Sequence, residues 1–261
     1  TGKSTLSVLV GGRLAAAGQR VLLVELDSGL RSVDIIAGVY GKTVYDIEDV
    51  LCGRCPGDKA VVESPVYPGL SVISAPYEGG QIPAKELGRL IQAMRPGFDF
   101  ILLDTAAGMG APFTAAVPLA NLALLVLTPD PVALRDGRIV ADAILDRNGP
   151  TTRLIVNRIP GSGFSNTGVR DLDECIDTVC VQLIGAVPDS PLIARAAVSG
   201  QALAPGSTAF RAVLPCAQPP YPACYRHHRQ DGCRGYRPVH SALFVRRSRG
   251  RPADCSPDRL Q

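Results

Sequence analysis

Thr1-Gly2-Lys3-Ser4-Thr5 decides the fold. These five residues are the closing half of a phosphate-binding loop. Such a loop aims backbone N–H groups from a helix N-terminus, reaches the β- and γ-phosphates with a lysine, and holds Mg²⁺ with a hydroxyl. Gly2, Lys3 and Ser4 supply these parts in order. A loop of this kind is entered from a buried strand through several glycines. Here both would precede residue 1, so the chain reads as N-terminally truncated.

Outward from the loop, helix and strand signals alternate. Four short apolar runs read as strands buried on both faces: Val21 to Val24, Leu70 to Ile73, Phe100 to Leu103 and Leu122 to Leu127. Leu154 to Val156 and Leu183 to Val187 read as two more. Helix-length segments lie between them: Lys3 to Ala17 ended by Gly18, Ala84 to Met94 between Pro83 and Pro96, Val132 to Leu145, Thr167 to Val179, and Pro191 to Val198. The alternation predicts an α/β fold of three layers, a mostly parallel sheet with helices on both faces, and ligands at the carboxyl ends of the strands.

The 261 residues, 46% of them hydrophobic, suffice for one large domain. The net charge of +3 is unevenly spread: residues 215–261 hold nine Arg against three Asp, and residues 1–214 are net negative. The body is therefore read as 1–214. In the tail Pro, Arg, Cys, Tyr and His mix without period, so no packed structure is expected there; the composition fits disorder or an out-of-frame reading. Tyr221, Tyr225 and Tyr236 between arginines would also suit a nucleic-acid arm. The cysteines are too thinly spread for a disulfide scaffold and point to a reducing compartment. Cys52 and Cys55 form a lone C-x-x-C, read as two ordinary thiols because no second pair stands at zinc-site spacing. No apolar run is long enough to span a membrane.

Two carboxylates strengthen the loop. Asp104 closes the run Ile101-Leu102-Leu103, where a strand-end acid can hold Mg²⁺. Asp27 follows the first strand and could orient the attacking water or a metal-bound one. Either alone could equally cap a turn; together with Lys3 and Ser4 they read as a site.

Beyond these residues the chain resembles the MinD family of septum site-determining ATPases. The resemblance is carried by Val24-Glu25-Leu26-Asp27-Ser28-Gly29-Leu30-Arg31-Ser32-Val33-Asp34, by Thr43 to Leu51, and by Asp99 to Gly108. Leu134-Arg135-Asp136, Leu154 to Arg158 and Ala209-Phe210-Arg211 extend it to about residue 213. ParA partitioning ATPases share the fold but usually carry Asp-Pro-Gln where this chain has Ser28-Gly29-Leu30.

The resemblance implies an ATP-dependent dimer that hydrolyses ATP slowly with Mg²⁺. Lys3 would hold the β- and γ-phosphates within the loop Thr1 to Thr5, Ser4 the metal, Asp27 the catalytic water, and Asp104 the second metal shell. Asn157 would read adenine, with Arg158, Pro188 and Asp189 near the base. The family works in the cytoplasm, peripheral to the inner face of the cell membrane. It binds the anionic membrane surface, the division inhibitor MinC, and either the ATPase-stimulating MinE or a polar topological factor. Three departures stand out: the family's signature lysine would lie before Thr1, so poor hydrolysis is expected; Glu25 and Ala106 replace the usual Asp and Pro; and Pro215, Pro219, Pro220 and Pro222 forbid the family's terminal amphipathic helix. The alternatives are a ParA-like or flagellar-number ATPase, against which the charge of residues 1–214 argues if it requires DNA, and a non-hydrolysing scaffold that recruits partners through the Arg135-Asp136 helix.

Overall fold

The computed structural model describes residues 1–29, 31–78, 82–203 and 241–247. One eight-stranded sheet runs in the order β2-β3-β1-β4-β8-β5-β6-β7. Its strands are β1 (Val21–Glu25), β2 (Val62–Glu63), β3 (Leu70–Ile73), β4 (Phe100–Asp104), β5 (Leu122–Leu127), β6 (Thr151–Ile159), β7 (Leu183–Pro188) and β8 (Ser241–Arg247). The pairs β1·β3, β1·β4, β5·β6 and β6·β7 are parallel, as right-handed strand–helix alternation requires.

The continuous apolar runs are strands because both faces of the sheet are covered. Leu22, Val24, Ile101, Leu103, Leu125 and Leu127 point into one core, with Leu87 and Ile91 of α4 (Ala84–Met94) and Leu134 and Ile144 of α6 (Pro131–Asp146). Their chain neighbours Val21, Leu23, Leu102, Leu124 and Val126 point into the other, with Leu6, Leu9 and Val10 of α1 (Lys3–Ala16). The period of two thus assigns alternate residues of one apolar run to opposite layers. Helix α1 is pressed so close to the sheet that a Cβ on Gly12 would come within 2.5 Å of the Tyr67 ring.

The remaining helices are α2 (Ser32–Ile36), α3 (Ile47–Leu51), α5 (Ala111–Ala116), α7 (Leu172–Val179) and α8 (Pro191–Ser199). Helix α7 starts five residues later than the sequence predicts. Thr167 instead closes a turn, its hydroxyl donating to the Phe164 carbonyl, and Asp171 caps the helix by accepting the Glu174 N–H.

The expectation of no packed structure beyond residue 214 is corrected at Ser241–Arg247. Within this segment Leu243 and Val245, two residues apart, are buried in the same core as α1. It lies antiparallel between β4 and β5, so it fills the middle of the sheet rather than an edge. Its unbroken run of seven strand-compatible residues was hidden by the surrounding Pro and Arg. The rest of the tail, residues 215–240 and 248–261, lies outside the described residues.

Candidate nucleotide site

The site gathers where α1 meets the carboxyl ends of β1 and β4. Gly2 precedes α1 in the left-handed region (φ 82°), a conformation that glycine reaches without strain. A Cβ there would also lie 2.7 Å from Asn157 Nδ2. The α1 N-terminus has no side-chain cap, so its first N–H groups remain available to an acceptor.

Lys3 is 5% exposed and Asp104 fully buried; Lys3 Nζ donates to Asp104 Oδ1 at 2.6 Å. Ser7, one turn further along α1, donates to the same oxygen at 2.8 Å and lies 3.0 Å from the Lys3 carbonyl. Ser4 Oγ is 3.4 Å from Lys3 Nζ. Asp104 Oδ2 is buried and, among the described residues, has no hydrogen-bond partner. A buried carboxylate oxygen without a donor is costly unless a cation or water meets it.

Asp27 stands just past β1, which the Leu26 N–H ties to the Asp104 carbonyl at 2.7 Å. Its carboxyl is half-buried, and desolvation pushes its pKa up; nearby Lys3 opposes this and Asp104 adds to it. Ser4, Asp27 and Asp104 offer oxygen donors, the ligand chemistry that Mg²⁺ takes, and the buried Asp104 Oδ2 without a donor is compatible with a cation there. The residues present fit the metal.

The second group stands on the β6–β7 side. Asn157 is buried, and its Nδ2 donates to the Thr1 carbonyl at 2.7 Å. Arg158 is left-handed (φ 58°), which turns its side chain back toward Gly2. Pro188 pairs with Ile159 at the end of β7, and the Asp189 N–H donates to the Ile159 carbonyl. Exposed Thr1 and half-exposed Ser4 and Thr5 complete the opening of α1. The residues the sequence proposed for nucleotide and metal thus stand at the carboxyl edge of the sheet, but Asn157 is engaged with backbone.

Sequence reading missed a buried polar network behind Asp27. Glu25 accepts the Val33 N–H at 3.1 Å and the Ala75 N–H at 3.4 Å. Burial pushes its carboxyl up to about 7, although both backbone bonds pull it down; Asp104 and Asp34 raise it further. Arg31 pairs with buried Asp34 at 2.6 Å and covers the Tyr77 ring at 3.9 Å, and Ser74 donates to Asp34. These groups pin the segment that follows Asp27. The one available signal was an acid between apolar Val24 and Leu26; for Ser7 it was the spacing of four from Lys3. A depression lined by Thr114, Val117, Arg147 and Asn148 lies at the opposite, amino ends of the strands and takes no part.

A phosphate-loop helix, a buried lysine and two strand-end carboxylates on a parallel sheet define the P-loop NTPase fold. No protein-family model matches the chain. It is 31% identical over 207 residues to the septum site-determining protein MinD of Bacillus subtilis strain 168, covering 78% of this chain and 77% of that one. The MinD of Synechocystis is 32% identical over 204 residues, covering 77% of each. The chain belongs to the MinD family of septum site-determining P-loop ATPases. The MinC:MinD complex of Aquifex aeolicus superposes with a TM-score of 0.73 at 29% identity, covering 81% of this chain and 88% of that one. MinD of Pyrococcus horikoshii complexed with Mg-ADP (TM-score 0.71, 23%) and a ParA family ATPase of Chlorobium tepidum (0.69, 19%) share the fold.

Proposed function

We propose that this chain is the nucleotide-binding body of a division-site-selection ATPase that takes ATP with Mg²⁺ at the opening of α1. The observation that carries this is the buried Lys3–Asp104–Ser7 cluster with its unpartnered Asp104 oxygen. On binding, Lys3 Nζ exchanges Asp104 for the β- and γ-phosphate oxygens while the free N–H groups of α1 take the same phosphates. Ser4 and Asp104 would hold the metal, which would supply positive charge beside the γ-phosphoryl group. Asp27 positions the attacking water, and desolvation suits its carboxylate to that task. Asn157 leaves the Thr1 carbonyl to reach the base, and Arg158, Pro188 and Asp189 form the wall beside it.

The family likeness supports a dimer formed on ATP binding and recruitment of MinC, as in the Aquifex complex. MinE or a polar factor as stimulator and an anionic membrane as platform follow from the family alone. Among the described residues no helix is long and apolar enough to cross a membrane.

The test is titration with a fluorescent ATP analogue, together with phosphate release. Lys3→Ala should lose analogue binding and ATP-dependent dimerisation, whereas Asp27→Ala should keep binding and lose release. Unchanged binding by Lys3→Ala would refute the loop assignment. Dimerisation unaltered in Asp27→Ala, with no phosphate release from either protein, would instead favour a scaffold without turnover.

A further inference from the structure

Asp104 Oδ1 meets two donors from α1, and they differ in how far each can move. Lys3 Nζ, 2.6 Å away, sits at the end of a long flexible stem, whereas Ser7 Oγ, 2.8 Å away, is carried by Cβ alone. The other oxygen, Oδ2, is buried and, among the described residues, has no donor. The carboxylate is thus gripped at one oxygen and left open at the other.

The proposed binding step takes Lys3 away. Asp104 is fully buried, so it would then stand ionised with its counter-charge withdrawn. A buried carboxylate in that position needs another donor. Ser7 is the one that stays, and it is itself fully buried. Leu6, Leu9 and Val10 pack α1 against the sheet. At Gly11 and Gly12 the approach is so close that a Cβ would lie 2.8 Å from Leu70 and 2.5 Å from Tyr67. The helix is therefore held in place while the lysine side chain swings, and the Ser7 hydroxyl is held with it.

That hydroxyl has one proton and two acceptors in reach, Asp104 Oδ1 and the Lys3 carbonyl at 3.0 Å. The Lys3 carbonyl already takes the Ser7 backbone N–H, as carbonyls inside an α-helix do. The ionised carboxylate is the stronger acceptor. The proton therefore goes to Asp104, and its share of the carboxylate grows when the ammonium leaves.

We propose that Ser7 is a positioning residue for the metal. By holding Asp104 Oδ1 after Lys3 has left, it keeps the carboxylate ionised and turned so that Oδ2 is free for the cation or a water bound to it. Ser7 acts through Asp104 and needs no contact with nucleotide or metal. It takes this role only where the nucleotide reading above holds.

The measurement is the Mg²⁺ concentration that half-saturates the complex of the full chain with the fluorescent ATP analogue, read from the analogue's signal. In Ser7→Ala it should rise at least about fivefold, a lower bound on what one hydrogen bond to a charged group is worth. Ser7→Thr keeps the hydroxyl and should stay within about twofold of wild type. Alanine suits a helix interior, and the melt without nucleotide, where Lys3 still pairs with Asp104, checks that Ser7→Ala is folded. In an Asp104→Asn background the same substitution should shift the half-saturation by less than about twofold, because its effect runs through the carboxylate. An unchanged half-saturation in Ser7→Ala overturns the role given to Ser7 and leaves the nucleotide site standing. So does a rise shared in full by Ser7→Thr, or one that persists in full in Asp104→Asn. No analogue binding by the wild type at any Mg²⁺ concentration overturns both.

Discussion

Removing the Asp104 carboxylate tests the site and the core together. Lys3 is 5% exposed and Asp104 fully buried, so Asp104→Ala leaves an ammonium out of water without its counter-charge. Breaking one side of such a buried pair costs about 3–5 kcal/mol. Ser7 keeps the Lys3 carbonyl as a partner and adds little. For a body of this size each kcal/mol lowers Tm by about 2–4 °C, so the melt should fall by roughly 6–20 °C. The double variant Lys3→Met/Asp104→Leu removes both charges and fills the space. It should lie within about 1 kcal/mol of wild type or above it, because neither desolvation penalty remains. The exposed pair Arg20–Asp99, 60% and 38% accessible, is the control, and Asp99→Ala should cost less than about 1 kcal/mol. Urea and thermal denaturation followed by far-ultraviolet circular dichroism give all four values. If Asp104→Ala costs no more than Asp99→Ala, or if the double variant is as damaged as Asp104→Ala, Lys3 is not held as described.

Glu25, with its carboxyl at about 7 against the ordinary 4.5, stays protonated in the folded state while the unfolded chain ionises. Its contribution to stability is therefore unaffected below pH 4.5, declines as pH rises to 7 and is constant above, a loss of at most about 3 kcal/mol. Glu25→Gln should abolish that part of the decline, and identical changes in urea midpoint between pH 5 and pH 8 for both proteins would contradict it. Burial pushes the Cys175 thiol up to about 11, while Cys52 is exposed. Iodoacetamide at pH 8 should alkylate Cys52 in the folded protein and Cys175 only in urea, as read by peptide mass mapping; equal labelling would show the α7 core to be open. Deleting residues 215–261 removes the buried Leu243 and Val245, about 1.5–3 kcal/mol each, and both β8 ladders. The deleted protein should melt at least about 10 °C lower, and an unaltered melt would show that β8 is not part of the core.

Which features could be read from the sequence follows from how local their causes are. The runs at Val21, Leu70, Phe100 and Leu122 announced themselves because a strand covered on both faces is apolar at every position, and no distant residue is needed to see it. The loop Thr1 to Thr5 and the strand-end acids Asp27 and Asp104 could be singled out because phosphate and metal chemistry fixes residue types at fixed places, and the structure brings Lys3 and Asp104 together. Ser7, Glu25 and the Arg31–Asp34–Ser74 network were not, since each acquires its role from a partner across the fold: Ser7 from Asp104, Glu25 from the Ala75 N–H, Asp34 from Ser74. β8 is the extreme case. Ser241–Arg247 carries a strand pattern no weaker than that of β7, yet its composition is set in a Pro- and Arg-rich stretch, and nothing local says that a gap awaits it between β4 and β5. Composition reports whether a segment can build a core of its own; it is silent on whether a core built by the rest of the chain has room for it.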